Sequence, residues 1–149
     1  MAFFTDDPSF SKAAFHEEPA AEIVLPEYRP GLLRKGFTHL IHQEAIAAAQ
    51  TYIAQQFHRS LTLLQLARQV HISPYHFARI FKHHTGVTPH HYILKVRLAH
   101  AAHLLRSTEL SVTDICYQCG FNRPDYFASA FRRHFQCSPR QYRTATAGA

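Results

Sequence analysis

The chain states one phrase twice. "HISPYHFARIFKHHTGVTPHHY" fills residues 71 to 92, and "GFNRPDYFASAFRRHFQCSPRQY" fills residues 120 to 142. Phe77 falls on Phe127, Phe81 on Phe131, Pro89 on Pro139 and Tyr92 on Tyr142, each at a spacing of 50. Upstream, Leu61 falls on Leu110 and Leu66 on Ile115 at a spacing of 49, so one extra residue has entered the second turn. Two copies are too few for a solenoid. A chain of 149 residues therefore suits one domain, or two small subdomains sharing a core.

The repeated half is also the basic half. Residues 1 to 58 hold four Lys/Arg against seven Asp/Glu, whereas residues 59 to 149 hold twelve against three. A positive surface of that density attracts polyanions, nucleic acid before membrane. No apolar run approaches the roughly 20 residues of a spanning helix, and "MAFFTDDPSF" lacks a charged and then apolar leader. Three cysteines without framework spacing fit a reducing compartment, and the expected location is the cytoplasm.

Residues 1 to 41 carry prolines, most of the acidic residues and no sustained period, and read as an irregular acidic extension. A short element within "AEIVLPEY" or "GLLRKGFTHLI" is compatible with their composition. From His42 the pattern becomes helical and nothing reads as a strand. Ile46, Ala49, Ile53 and Phe57 recur on one face. Thr62 and Gln65 form a capping box ahead of a stripe of Leu63, Leu66, Ala67 and Val70, and Ser111 with Asp114 repeats the device. Ser73-Pro74, Thr88-Pro89 and Ser138-Pro139 each place a hydroxyl at N-cap and a proline at N1, while Arg123-Pro124 keeps the proline with a weaker cap. Seven helices are predicted, at about 43 to 57, 62 to 70, 74 to 84, 89 to 106, 111 to 119, 124 to 135 and 139 to 144.

Short helix, tight turn and capped second helix describe a helix-turn-helix, here at about 62 to 84 and again at about 111 to 135. On a wheel of about 100° per residue, Phe77, Ile80 and Phe81 face inward and Tyr75, Arg79 and Lys82 outward, with Ala78 and His83 beside them. In the second copy Phe127, Ala130 and Phe131 face inward, leaving Asp125, Ser129 and Arg132 outward with Arg133 adjacent. The cores agree and the outward faces differ, as two readers of different base sequences require. A helical duplication without a ligand shares the core but does not explain outward faces of Arg, Lys and His. The 89 to 106 helix, about 27 Å long, is apolar around too much of its girth for one partner, so it joins both subdomains. That length suits two recognition helices about one DNA turn apart, and one chain can then read two half-sites without dimerising.

From about residue 43 to 144 the chain resembles the DNA-binding domain of AraC/XylS-type bacterial transcription regulators. "ICYQCGFNRPDYFASAFRRHFQCSPRQYR" carries the most specific likeness: Gly-Phe, Tyr-Phe, a Phe four residues on, and Ser-Pro-x-x-Tyr-Arg. "LARQVHISPYHFARIFKHHTGVTPHHYI" resembles the first helix-turn-helix of that family equally well. The resemblance implies an all-α, seven-helix domain, an elongated asymmetric site on double-stranded DNA, and activation through contact with RNA polymerase. By position, Tyr75, Ala78 and Arg79 match the base-reading face of the first recognition helix, and Asp125 and Ser129 that of the second. Gln136 departs from the family in replacing a frequent glycine; Arg123 and Pro124 stand where small polar residues are common. Some 40 residues before the first helix are too few for a sensing domain, so the chain looks like the stand-alone members.

Arg79 can pair with O6 and N7 of guanine; Tyr75 and Ala78 can meet a thymine methyl, and Ser129 can bond several bases. Asp125 can accept from cytosine or serve the helix dipole. Lys82, His83, Arg123, Arg132 and Arg133 read as phosphate grips. Thirteen histidines raise a metal hypothesis, notably His83-His84, His90-His91 and His100 with His103, but adjacent helical histidines diverge by about 100° and no HExxH or closed Cys/His set occurs. Cys116 and Cys119 resemble a half-site yet align with Ala67 and Val70, where the repeat needs small core residues; Cys137 is a lone turn thiol. No metal or other cofactor is expected. Without a Gly-rich phosphate loop, nucleophile elbow or paired carboxylates in the repeats, an enzyme is not expected either. Two other readings share the composition: a regulatory partner or sensor acting through the extension, and a nonspecific basic binder of nucleic acid.

Overall fold

A computed structural model of the protein describes the backbone of residues 35–147 and side chains from Thr38 onward. Among the described residues there are seven helices and no strand: α1 (Lys35–Gln56), α2 (Leu63–Gln69), α3 (Pro74–Thr85), α4 (Pro89–Ser107), α5 (Val112–Gln118), α6 (Pro124–Phe135) and α7 (Pro139–Ala147). The helix starts follow from their caps. Thr62 accepts from the Gln65 amide while the Gln65 side chain accepts from the Thr62 amide, so the predicted box is closed in both directions. Ser73, Thr88 and Ser111 accept from the third amide onward, and Ser138 does the same for α7.

Two helical segments differ from the sequence expectation. α1 begins at Lys35: the short element allowed within "GLLRKGFTHLI" is helical from there, and it runs on into the predicted 43 to 57 helix, so residues 35–41 are not part of an irregular extension. Apolar periodicity misses these turns because the apolar side chains described there, Leu40 and Ile41, are 50% and 42% exposed. Ring contacts join this stretch to α3, His39 on His84 and His42 on His76, each at 5.0 Å between centroids. "AEIVLPEY" lies outside the described residues. α7 is the other difference, continuing to Ala147 rather than 144.

Each copy of the repeat builds its own core. Phe77 and Phe81 sit 5.5 Å apart, and Phe81 meets Tyr92 edge-on at 5.4 Å. In the second copy Phe127 and Phe131 sit 5.7 Å apart, and Phe131 meets Tyr142 at 5.4 Å. The shared spacing in sequence thus becomes a shared ring ladder, each pair worth about 0.5–1.5 kcal/mol beyond its burial. Leu63, expected in the first core, is 41% exposed. Leu61, just before α2, packs inward in its vicinity, and Leu66 and Ala67 complete the buried stripe.

The central helix belongs to both cores. Tyr92, Ile93 and Val96 enter the first, and Leu98, Ala101, Ala102 and Leu105 the second. Half-buried Arg97 lies between the two sets; its Nε donates to the Phe57 carbonyl and its Nη2 to the Arg59 carbonyl, both at 2.8 Å. The same guanidinium carbon stands 5.9 Å from the Phe121 ring centre. Arg97 therefore ties the end of the first subdomain's α1 to the turn of the second.

Candidate nucleic-acid interface

Both helix-turn-helix turns are set by a residue in the left-handed region. α2 ends with Val70, His71 at φ 56°, and an Ile72 amide that donates back to Ala67. α5 ends with Cys119, Gly120 at φ 83°, and a Phe121 amide that donates back to Cys116. These paired bonds are Schellman closures. Gly120 is required twice over, since a Cβ there lies 2.8 Å from the His58 carbonyl oxygen. Asn122 is the extra residue of the second turn, inserted before the N-cap Arg123.

These turns launch α3 and α6 with their phenylalanines inward. On α3, Tyr75 is 76% exposed, Arg79, Lys82 and His83 are exposed, and Ala78 is half-buried between them. On α6, Asp125, Ser129, Arg132 and Arg133 are all exposed. Arg79, Lys82, Arg132 and Arg133 form no salt bridge among the described residues. Tyr126 joins this face, 47% exposed with its ring against Phe121 at 6.2 Å. Sequence reading passed over it because Tyr-Phe reads as core; here the Phe takes the core and the Tyr does not.

At the start of α6 the structure brings together two residues assigned different roles. Arg123 gives no capping bond; its guanidinium pairs with Asp125 through two hydrogen bonds, Nε to Oδ1 at 3.2 Å and Nη2 to Oδ2. That pairing holds the Asp125 carboxyl below the usual carboxylate range. Both groups are fully exposed, so the pair screens their charges from an approaching anion without stabilising the fold appreciably.

Two of the three cysteines are core residues. Cys116 and Cys119 are fully buried in the second core, and burial pushes the Cys119 thiol up to about 12, which leaves it without nucleophilic character. His100 lies against Phe57, ring centres 4.8 Å apart, and its pKa is lowered by burial and by His103 and His58 nearby. Among the described residues no group of three His, Cys, Asp or Glu side chains is placed to hold a metal. No described helix is long and apolar enough to cross a membrane.

What the arrangement can do chemically is present two cationic helices, each fixed on a replicated core, to one extended polyanion. Comparison with known proteins agrees. The profile of a family described as a helix-turn-helix domain matches residues 66–145. The transcriptional activator RhaS of Escherichia coli O139:H28 is 45% identical over 96 residues, covering 64% of this chain and 30% of RhaS. RhaS of Enterobacter sp. strain 638 is 52% identical over 65 residues, 44% of this chain and 23% of its own length. The chain thus spans less than a third of these curated relatives. Among solved structures, a transcriptional regulator with an AraC-type DNA-binding domain from Chromobacterium violaceum superposes with a TM-score of 0.67 at 31% identity, covering 70% of this chain and 94% of that one. The DNA-binding domain of AdpA, solved with a target DNA, gives 0.65 at 29% identity, covering 68% and 91%.

Proposed function

Because the chain belongs to the AraC/XylS family of helix-turn-helix transcription regulators, we propose that it binds an asymmetric double-stranded site as a monomer, with α3 and α6 in successive major grooves. The observation that carries this reading is the duplicated core under two different outward faces. Equal scaffolds fix equal docking, and unequal faces read unequal bases. Tyr75, Ala78 and Arg79 read bases in one groove, and Asp125 and Ser129 in the other. Lys82, His83, Arg123, Arg132 and Arg133 hold phosphates. Arg123 leaves Asp125 for a phosphate on binding, which releases the carboxylate to accept from a base amine.

Activation of transcription by contact with RNA polymerase, in the cytoplasm and on the nucleoid, completes the proposal; the RhaS relatives named as activators support it. Selection of bound sites from random DNA tests the core of the reading. Two dissimilar half-sites, centred about ten base pairs apart, are expected. A single compact motif removes one of the two readers from the proposal.

A further inference from the structure

The α1–α3 crossing carries chemistry that DNA recognition does not use. His42 comes from the part of α1 that lies before its apolar face, and His76 from the first turn of α3. Their Nε2 atoms are 3.2 Å apart. Both side chains are half-buried. His39 and His84 stack beside them at 5.0 Å, and His83 lies 5.4 Å from His84. Five imidazoles thus gather where two helices meet.

Two nitrogens that bind one tetrahedral ion at about 2.0–2.1 Å each must lie about 3.3 Å apart. The His42–His76 separation of 3.2 Å already meets that requirement. We propose that His42 and His76 form a two-histidine site for a borderline-soft divalent cation of the zinc or nickel class, with water filling the remaining positions. Before the ion binds, one ring donates its Nε2 proton to the other. On binding, that proton moves to Nδ1 through solvent, both Nε2 atoms ligate, and no net proton is released. Imidazole rather than carboxylate ligation selects against magnesium and calcium, which take oxygen donors. The ion clamps the early turns of α1 to the start of α3, one residue from Tyr75 and three from Arg79. Metal occupancy thereby adds a bond between the His42 turn of α1 and the first recognition helix.

The test is calorimetric titration of the untagged full chain with ZnCl2, NiCl2 and MgCl2 at pH 7.5. A saturable one-to-one phase with Zn2+ and Ni2+ but not Mg2+ is expected. It should weaken at least tenfold in His42→Ala and in His76→Ala, and persist in His58→Ala and His90→Ala, which alter exposed rings outside the cluster. Imidazole 1H–15N spectra of the unsubstituted protein give a second readout that needs no variant: the ring signals of His42 and His76 should shift first with Zn2+. Equal affinity in all four variants, ring signals that shift together across the histidines, or no one-to-one phase, would each overturn the site.

Discussion

Arg79 and Lys82 stand one turn apart on the outward side of α3, both exposed, yet the geometry of their charges separates their roles. A planar guanidinium can make two bonds to a guanine edge, whereas an ammonium is a point charge suited to a phosphate. Arg79→Ala should cost about 1–3 kcal/mol at one base position and relax selectivity there. Lys82→Ala should weaken binding to all sequences nearly alike and lower the salt slope by about 1. Titrations of matched and singly substituted sites at several salt concentrations check both, and identical behaviour of the two variants would sink the assignment. Gln136 illustrates a different use of a single position. It ends α6 in the left-handed region at φ 61°, where its counterpart Gly86 ends α3 at φ 78°. Its side chain recovers an exposed bond to the Arg133 carbonyl at 2.9 Å, which offsets little of the strain. Gln136→Gly should therefore stabilise the protein by about 0.5–1 kcal/mol, seen as a raised urea midpoint at unchanged slope. A lowered midpoint would show that the side-chain bond outweighs the backbone strain.

At the scale of helices, punctuation was the legible part. Prolines at N1, hydroxyl caps and the 49- and 50-residue spacings located α2 to α6 within about a residue, because local chemistry alone decides those boundaries. The early turns of α1 escaped because their ring-contact partners, His76 and His84, lie on another helix. The Arg123–Asp125 pair escaped for a similar reason: residues two apart do not face each other within a helix, but Arg123 is the N-cap, extended at φ −137°, and reaches back across the first turn. Arg97 was invisible as a clamp, since nothing local distinguishes it from the solvated arginines of a basic helix. One element carries a pH consequence. His100 on α4 is held below its ordinary pKa by burial against Phe57 and by His103 and His58. The unfolded chain therefore takes up that proton first, so stability is intact above about pH 6.5 and falls as pH drops from there through the folded value. His100→Gln should flatten the fall in melting temperature between about pH 6.5 and 5 while changing little at pH 8. An unchanged pH slope in the variant would place the acid sensitivity elsewhere.

Across the whole molecule, the two readers are held by one helix and a polar junction instead of a linker. α4 contributes to both cores, Arg97 binds the Phe57 and Arg59 carbonyls, and Gly120 lets the second turn close on the His58 backbone. Arg143 of α7 adds a second clamp, donating to the Leu110 and Leu105 carbonyls and fastening α7 to the far end of α4. In the proposed binding mode, a junction tied at these points would set the angular phase of α3 and α6 along the duplex. Inserting five base pairs between the half-sites turns one of them to the opposite side of the duplex, where a rigid chain cannot reach it. Specific affinity should then fall by about 10³-fold or more, toward the nonspecific level. Arg97→Met, which keeps the stem but removes both carbonyl bonds, should lessen that penalty by allowing the subdomains to rotate. Gel-shift titrations on the native and five-base-pair sites, with both proteins, give the comparison. Equal affinity of the unsubstituted protein for the two sites would show that the subdomains bind as independent units and that α4 does not set their phase.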